Sequence, residues 1–368
     1  MKRAVYIVTA MDAGGAETIF MKFYRALDKR RYQLDFCVSS DEPGFYDDEI
    51  KGLGGNIVHT VKKSERGSVA SFRRLKEIAK EGGYCTAVRS SQHSLSALDL
   101  LAMRAGGVPR TVFRSSNTGT VSNSRKEAML HRMFRPLIGL AATSYVAPST
   151  EAGLYMFGES GVRSDRFSIL HNAVDLEEFT YREDFRERIR MELGIPEDAF
   201  VIGHIGRFNQ QKNHAFLLDV FAEVVRRIDS AMLLLLGKGE LFEDVRRKTE
   251  DLGLSDRVVF AGVRRDASLC YSAMDMFVFP SLYEGLPNVV IEAQANGLPC
   301  VISSSITREV VLNENVGFMD LGRGCRDWAR EITECSYRRL ERKAIHLEER
   351  GYDISAELPQ FISVVFGD

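Results

Sequence analysis

Residues 276–303 read MFVFPSLYEGLPNVVIEAQANGLPCVIS, two short apolar runs separated by a loop and a helical pattern. Each run has the length of a buried strand, Pro280 closes the first run, and Asn296-Gly297 is a helix stop. This order predicts a parallel strand–helix–strand crossover. Its parts are the strands 276–279 and 299–302, the loop 281–288 and the helix 289–295.

Two glutamates flank the start of this predicted helix. Pro287 fits the first helical position, where proline needs no N–H, so Glu284 precedes the helix and Glu292 lies about one turn inside it. Backbone N–H groups between Gly285 and Asn288 would form an anion site, and the carboxylates could accept hydrogen bonds from sugar hydroxyls. The stretch therefore predicts a site for a phosphorylated sugar. The alternative is a pair of acids that the helix dipole favours at any helix start.

Length and composition predict a globular protein of two domains. The chain has 368 residues, which is longer than a typical single-core domain. Its residues are 45% hydrophobic and 27% charged, as in a globular protein. Met1-Lys2-Arg3 leads directly into a strand-like run and no run of eighteen apolar residues occurs, so we expect neither a signal peptide nor a membrane-spanning helix. The six cysteines lack metal-ligand spacing, which predicts reduced thiols in the cytosol.

The charge differs between the two halves of the chain. Residues 1–175 contain 25 Lys and Arg against 18 Asp and Glu, and the remaining residues contain 24 against 33. The halves therefore carry +7 and −9, which predicts different partners. We expect no nucleic acid among them.

Apolar runs alternate with helical patterns through the first half. This alternation predicts an α/β fold with a doubly wound parallel sheet, whose ligands lie at the carboxyl ends of the strands. Gly14-Gly15 follow the first strand, where glycine lets the backbone approach a ligand closely, although a plain tight turn is the alternative. The further strands are 33–38, 56–60, 86–89, 111–114 and 145–147, and the helices include 69–80 and 94–104.

Two cations follow a strand in the second half. Arg207 and Lys212 lie in the turn between the strand 200–205 and a helix, and Gly206 leaves room for a ligand there. Cations at this spacing can converge on a diphosphate, and a basic surface loop is the alternative. Toward the C-terminus, the charged stretch 326–350 and residues 354–366 are predicted to be helical.

Residues 284–292 resemble the two-glutamate motif of the retaining glycosyltransferases of family 4, in which seven residues separate the acids. The resemblance extends along nearly the whole chain, because Gly14-Gly15-Ala16-Glu17, the interdomain segment 171–175 and Gly206 to Lys212 match further motifs in the same order. It implies the GT-B fold, two Rossmann-like domains that face a cleft. The implied domains are 1–175 for the acceptor, 176–350 for the nucleotide-sugar donor, and a C-terminal helix in 351–368 that packs back on the first domain.

The resemblance also implies an activity. We expect a hexosyltransferase-type enzyme that moves a sugar, with retention, from a nucleotide diphosphate sugar such as a UDP-sugar to a hydroxyl acceptor. The acceptor would be a lipid-linked glycan of surface polysaccharide biosynthesis at the inner face of the membrane. No Asp-x-Asp triplet that would hold a divalent ion is present, so neither a metal nor another cofactor is expected.

By resemblance, Arg207 and Lys212 hold the diphosphate, Glu284 binds the transferred sugar and Glu292 binds the ribose. Arg207, Lys212 and Glu284 are the predicted catalytic residues, since the cations stabilise the leaving diphosphate. The loop after the strand 258–262 would contact the base through its backbone. The other donor-site residues are Gly14, Gly15, Gly206, Gly262, Gly285, Leu286, Pro287 and Asn288.

The acceptor side departs from the family pattern. The polysaccharide-type members carry His-Ser-His at two strand ends, whereas this chain has Arg-Ser-Ser at both, with His93 after the first and Arg114 in place of the second histidine. Arginine does not release a proton near neutral pH, so Arg114 is predicted to act as a fixed cation or donor. His93 is the candidate for proton transfer, or a structural histidine, and Asn117 completes the predicted acceptor side.

Residues 125–135, from Arg125 to Arg135, read as a helix with cations beside apolar residues. Such a helix could rest on an anionic membrane surface, and a solvated cationic face is the alternative. Two other functions stay open, a nucleotide-sugar epimerase on the same fold and a catalytically weak scaffold protein. A Rossmann dehydrogenase is disfavoured because no G-x-G-x-x-G follows the first strand.

Overall fold

A computed structural model describes residues 1–116 and 125–368. The chain divides into two compact units. The first contains Met1–Ala173 together with Ile354–Asp368, and the second contains Val174–Asp353. Each unit has its own parallel sheet and its own hydrophobic core.

The first unit contains a seven-stranded parallel sheet in the order β3-β2-β1-β4-β5-β6-β7. Its central strands read as continuous apolar runs because helices cover both faces, and β2 is buried at all seven positions. The strands are β1 Lys2–Val8, β2 Tyr32–Val38, β3 Ile57–His59, β4 Thr86–Ser91, β5 Arg110–Ser115, β6 Ser144–Ala147 and β7 Phe167–Ile169.

Helices pack on both faces of this sheet. The final helix of the chain belongs here, because Phe361 stacks on Phe23 with ring centroids 4.4 Å apart and also contacts Phe20. The helices are α1 Gly15–Ala26, α2 Asp47–Gly52, α3 Lys63–Gly82, α4 Ala97–Ala105, α5 Arg125–Ala141, α6 Thr150–Val162 and, last in the chain, α14 Ile354–Phe366.

The second unit contains a six-stranded parallel sheet in the order β10-β9-β8-β11-β12-β13. Its strands are β8 Phe200–Ile205, β9 Ala231–Leu236, β10 Val258–Gly262, β11 Met276–Phe279, β12 Cys300–Ser303 and β13 Val316–Met319. Its helices are α7 Leu176–Phe179, α8 Glu183–Leu193, α9 His214–Val225, α10 Phe242–Asp251, α11 Ala267–Ala273, α12 Asn288–Ala295 and α13 Gly324–Glu334. The α/β class with two doubly wound parallel sheets is therefore confirmed.

The predicted crossover is present in the second unit. Strands β11 and β12 pair in parallel, with Phe277 opposite Cys300, and α12 connects them. One detail of the prediction is wrong, since Pro287 is not the first helical residue. Its φ of −72° and ψ of 114° are extended, so it caps a helix that begins at Asn288.

The predicted helix over residues 326–350 is wrong beyond its first part. Helix α13 ends at Glu334, and apart from a short 3-10 turn at Arg342–Ala344 the chain then follows an irregular path up to α14. Tertiary contacts fix this path, because Arg339 donates to Asn296 and to the carbonyl of Met274, and the Leu340 N–H donates to the Gly297 carbonyl. Charge-rich composition favours a helix, but these bonds hold another conformation.

Across residues 1–116 and 125–368, no helix combines the length and the apolar character that crossing a membrane requires.

Candidate active site

Two loops meet at the carboxyl edge of the second sheet. The neighbouring strands β8 and β11 are parallel, so the segments that follow them leave the sheet at the same edge. Three hydrogen bonds join the segments: Leu282 N–H to the Gln211 carbonyl (2.8 Å), Gln211 Nε2 to the Tyr283 carbonyl (2.9 Å) and Asn213 Nδ2 to the Pro280 carbonyl (3.1 Å). The segment after β8 therefore holds the segment that carries Glu284.

This frame brings Lys212 and Glu284 into direct contact. Lys212 Nζ lies 2.6 Å from Glu284 Oε1, and the two side chains are only 16% and 9% exposed. The ammonium also lies 4.7 Å from the ring centroid of Phe279, a cation–π contact. Asn209 fixes the turn, since its Oδ1 accepts the Lys212 backbone N–H. Two predicted catalytic residues that are far apart in the sequence thus form a short, shielded ion pair.

Arg207 lies at the start of the same turn and is exposed. Its guanidinium makes no hydrogen bond or ion pair with the part of the chain that the structure describes. Glycine lets neighbouring backbones approach here, because a Cβ at Gly237 would lie 2.1 Å from the Gly206 carbonyl oxygen and φ at Gly237 is +141°. The Gly237 N–H donates to the Gly262 carbonyl, so the ends of β8, β9 and β10 are joined through their backbones.

Glu292 lies inside α12 and is 9% exposed. Its Oε2 accepts a 2.8 Å hydrogen bond from the Tyr271 hydroxyl, which orients the carboxylate. Burial, and then the charge of Glu292, raise the pKa of Tyr271 well above its ordinary value, so Tyr271 remains a donor. In the preceding loop, Gly285, Leu286 and Pro287 are buried, and Asn288 at the helix start is half-buried.

Two buried histidines beside Lys212 were not predicted. His204 on β8 donates from Nδ1 to the Val278 carbonyl at 2.9 Å, and its ring lies edge-on to His214 with centroids 4.7 Å apart. His214 stacks on Phe208. The ring nitrogens of His214 and Nε2 of His204 are buried without a partner among the described residues. The available sequence signal was a histidine inside an apolar strand and another directly after Lys212-Asn213.

Both histidines are uncharged at neutral pH. Burial, then the positive charge of Lys212, lower the pKa of His214 to about 4. Burial also lowers the pKa of His204 well below its ordinary value, with smaller contributions from His214 and Lys212. Folding lowers the pKa values of both histidines. As the pH drops below about 6.5, the two side chains therefore bind protons in the unfolded chain but not in the folded chain. The unfolding free energy is therefore highest above the pKa of an unfolded histidine, and it declines as the pH falls toward 4.

His214→Phe is expected to weaken this acid dependence. Phenylalanine keeps the stack on Phe208 and cannot bind a proton, so the variant should lose about 2 kcal/mol less unfolding free energy than the wild type between pH 7.5 and 5. Trp328, the only tryptophan of the chain, is buried in the same unit and reports its unfolding in urea by fluorescence. His346→Gln, at an exposed position of that unit, is the control. Equal acid dependence in His214→Phe and wild type would contradict a buried neutral histidine.

The predicted residues of the first unit also share a carboxyl edge, formed by the neighbouring strands β1, β4 and β5. Gly14 caps α1 and Gly15 is its first residue. Arg114 on β5 is 2% exposed and donates from Nη2 to Asn172 Oδ1 at 2.6 Å, while its Nε has no partner among the described residues. Burial lowers the pKa of Arg114, and the nearby Tyr6 and Glu17 oppose this. Arg114 is thus a buried cation inside the unit.

His93 is half-buried at the end of β4. Its Nδ1 accepts the Leu95 N–H at 3.2 Å, so this nitrogen caps a short turn and only Nε2 could exchange a proton with a ligand. The neighbouring His131 is structural, because its Nδ1 accepts the Ser94 N–H, its Nε2 lies 3.2 Å from the Tyr155 carbonyl, and burial lowers its pKa. Asn117 lies outside the described residues.

Helix α5 has an exposed apolar stripe. Met129, Met133 and Leu140 are 71%, 61% and 66% exposed, and spacings of four and seven residues place them with Pro136 on one face. Arg132 is exposed as well. Arg135 instead turns inward and donates to the Tyr155 carbonyl at 2.8 Å, so it does not belong to a cationic outer face. The side chains of Arg125 and Lys126 lie outside the described part of the structure.

Metal sites in proteins are built from clusters of His, Cys, Asp and Glu side chains. Over the described ranges, no three side chains from His, Cys, Asp and Glu gather as metal ligands would.

Comparison with known proteins assigns the chain to a family. The model "Glycosyltransferase Family 4" matches residues 13–178 and the model "Glycosyl transferases group 1" matches residues 199–336. The "Putative glycosyltransferase EpsF" of Bacillus subtilis (strain 168) is 34% identical over 370 residues, 99% of this chain and 96% of EpsF. The chain is a family 4 glycosyltransferase.

Two further relatives of this glycosyltransferase are informative. The "UDP-Gal:alpha-D-GlcNAc-diphosphoundecaprenol alpha-1,3-galactosyltransferase" of Escherichia coli is 26% identical over 320 residues, 83% of this chain and 80% of the relative. The structure of Anabaena Alr3699/HepE in complex with UDP-glucose superposes with a TM-score of 0.81 at 17% identity, and each chain is covered completely. The GT-B fold and the prediction of a hexosyltransferase-type enzyme of polysaccharide biosynthesis are confirmed.

Proposed function

We propose that this glycosyltransferase moves a hexose from a UDP-sugar to a hydroxyl of a lipid-linked glycan, with retention, during assembly of a surface polysaccharide. The observation that carries the proposal is the contact between Lys212 and Glu284, which lies at the carboxyl edge of the sheet beside the start of α12. A cation for phosphate and a carboxylate for sugar hydroxyls are thereby adjacent. A UDP-sugar presents these two chemistries next to each other.

In the proposed complex, Arg207 and Lys212 stabilise the charge that develops on the leaving diphosphate, which is electrostatic catalysis. Glu284 accepts hydrogen bonds from the transferred sugar, and Glu292, oriented by Tyr271, accepts them from the ribose. The bond from the anomeric carbon to the phosphate oxygen breaks while the acceptor oxygen bonds to the same face. The acceptor proton passes to the leaving phosphate, so no nucleophilic side chain is required.

The chemistry of the relatives supports the choice of substrates. The Escherichia coli relative is named for a UDP-galactose donor and a diphosphoundecaprenol acceptor, and the Anabaena structure contains UDP-glucose. Incubation with a panel of UDP-, GDP- and ADP-sugars and a lipid diphosphate glycan, followed by measurement of nucleoside diphosphate release, tests the proposal. We expect release from a UDP-sugar and no effect of a chelator. NMR of the product should show the same anomeric configuration as the donor sugar. Release only from a GDP- or ADP-sugar would contradict the UDP-sugar donor, and release from none of the donors would contradict transfer to a lipid-linked glycan.

Membrane contact is part of the proposal and is supported by α5. Its exposed stripe of Met129, Met133 and Leu140, next to the exposed Arg132, combines apolar side chains with positive charge. That combination suits the surface of an anionic membrane, where lipid-linked acceptors are held. We therefore propose that the enzyme acts in the cytoplasm, at the inner face of the membrane.

The triple variant Met129→Gln, Met133→Gln, Leu140→Gln is expected to bind anionic vesicles at least tenfold more weakly than the wild type. Each apolar side chain that enters the interface contributes on the order of 1 kcal/mol, and the cations add a salt-dependent part. Sedimentation with phosphatidylglycerol and phosphatidylcholine vesicles measures the loss. Met191→Gln, an 81% exposed methionine on α8, is the matched control. Equal binding to both lipids, or no loss in the triple variant, would make α5 an ordinary solvated helix.

A further inference from the structure

We propose that Glu284 competes with the donor diphosphate for Lys212 and thereby promotes release of UDP after transfer. This inference rests on the proposed function, which gives Lys212 to the diphosphate and Glu284 to the sugar. The ion pair between them, 2.6 Å long, engages the ammonium that the diphosphate needs. Binding of the diphosphate and the pairing of Glu284 are therefore coupled events.

The surroundings hold the two groups close together. The Lys212 stem passes Gly206, where Cγ and Cδ each lie 3.1 Å from the position of a Cβ, and its ammonium rests on the Phe279 ring. On the other side, Gln211 binds the Glu284 loop through the backbone of Leu282 and Tyr283. Neither chain segment can move away without breaking these contacts, so only the side-chain torsions are available for an exchange of partners.

Charge makes the exchange costly for a bare diphosphate. The diphosphate would take the ammonium from a carboxylate that is only 9% exposed, and a shielded carboxylate that loses its cation is poorly compensated. A donor that carries a sugar offers hydroxyl groups to the displaced Glu284, whereas UDP alone does not. Once the sugar has been transferred, Glu284 returns to Lys212 and UDP is held less tightly. The pair thus favours the nucleotide sugar over the product.

The central test is calorimetric titration of UDP and of inorganic pyrophosphate into wild type and Glu284→Gln. The variant should lose sugar transfer and yet bind both diphosphate probes at least tenfold more tightly, because glutamine leaves the Lys212 ammonium available. UMP, which lacks the second phosphate, should gain less. Glu240→Gln, which removes an exposed acid that follows β9, is the control and should leave both affinities within a factor of two.

The same titrations in the Lys212→Gln variant separate competition for Lys212 from a general effect of the negative charge of Glu284. In Lys212→Gln, adding Glu284→Gln should change the affinity for pyrophosphate less than twofold. Equal or weaker binding of both probes by Glu284→Gln would overturn the inference, and so would a tenfold gain that persists without Lys212. If pyrophosphate follows the expected pattern while UDP binds to no variant, the UDP assignment in the proposed function fails and the competition stands.

Discussion

Replacing Lys212 with glutamine is expected to reduce sugar transfer by at least about 10²-fold. By the proposed function, the variant loses the cation that stabilises the leaving diphosphate, and it also leaves the Glu284 carboxylate, 9% exposed, without its ammonium partner. Truncating one member of such a shielded charge pair typically costs several kcal/mol, and about 1.4 kcal/mol corresponds to tenfold in rate. Initial rates of UDP release, with the donor found active in the donor panel, measure the change in kcat/KM.

Lys248→Gln is the matched control for this variant. Lys248 also pairs with a carboxylate, Asp219 at 2.7 Å, but on the helices α10 and α9 and with greater exposure of both side chains. It should retain transfer within a factor of two. If Lys212→Gln keeps its activity within about threefold of the wild type, the diphosphate does not bind at this edge of the sheet.

Asp275→Ala is expected to lower the unfolding free energy of the second unit by about 3 to 5 kcal/mol. Asp275 accepts hydrogen bonds from Arg190 Nη2 (2.8 Å) and from the backbone N–H of Val201 (2.8 Å), and it forms an ion pair with Arg186, whose Nη2 lies 2.9 Å away. Arg190 is 3% exposed, so removing its carboxylate leaves a buried cation poorly compensated. Urea unfolding followed through Trp328 measures the loss.

The exposed pair of Asp184 with Arg182 provides the comparison for Asp275. Both of its side chains are more than half exposed, and such surface pairs contribute little to stability because water and salt screen them. Asp184→Ala should therefore change the unfolding free energy little, and Asp275→Asn should lose less than Asp275→Ala because the amide oxygen still accepts hydrogen bonds. Arg190 also donates to four backbone carbonyls, those of Ala273, Pro196, Glu197 and Ala199. A loss below 1 kcal/mol in Asp275→Ala would show that these four acceptors alone hold Arg190.

The sequence predicts the fold well where composition alone decides the local structure. The apolar run Met276–Phe279 is followed by Pro280, and the run Cys300–Ser303 is preceded by Gly297 and Pro299. Such runs have few alternatives to buried parallel strands. The charged segment after Glu334 shows the limit. There Arg339 and Leu340 bind groups of residues 274 and 296–297, and contacts with distant residues leave no periodic signal in the sequence.

In the candidate site, too, local sequence predicts the positions of residues but not their contacts with distant parts of the chain. The positions of Arg207, Lys212, Glu284 and Glu292 at strand ends and a helix start follow from local patterns and from the family motifs. The ion pair of Lys212 with Glu284 could not be predicted, since it depends on which strands are neighbours and on three hydrogen bonds between their loops. Arg114 is a second example, because its strand was predicted but its buried hydrogen bond to Asn172 was not.

The hydrogen bonds that join the loops after β8 and β11 also define where this enzyme can be varied by directed evolution. The backbone N–H of Leu282 donates to the Gln211 carbonyl, whereas the Leu282 side chain is 38% exposed. Gln210, in the facing turn, is also exposed. Saturation libraries at these two positions would alter the rim of the proposed donor site while the backbone that supports Lys212 and Glu284 keeps its bonds. Gln211 and Asn213, whose side chains make the joining bonds, are the positions that such libraries should leave unchanged.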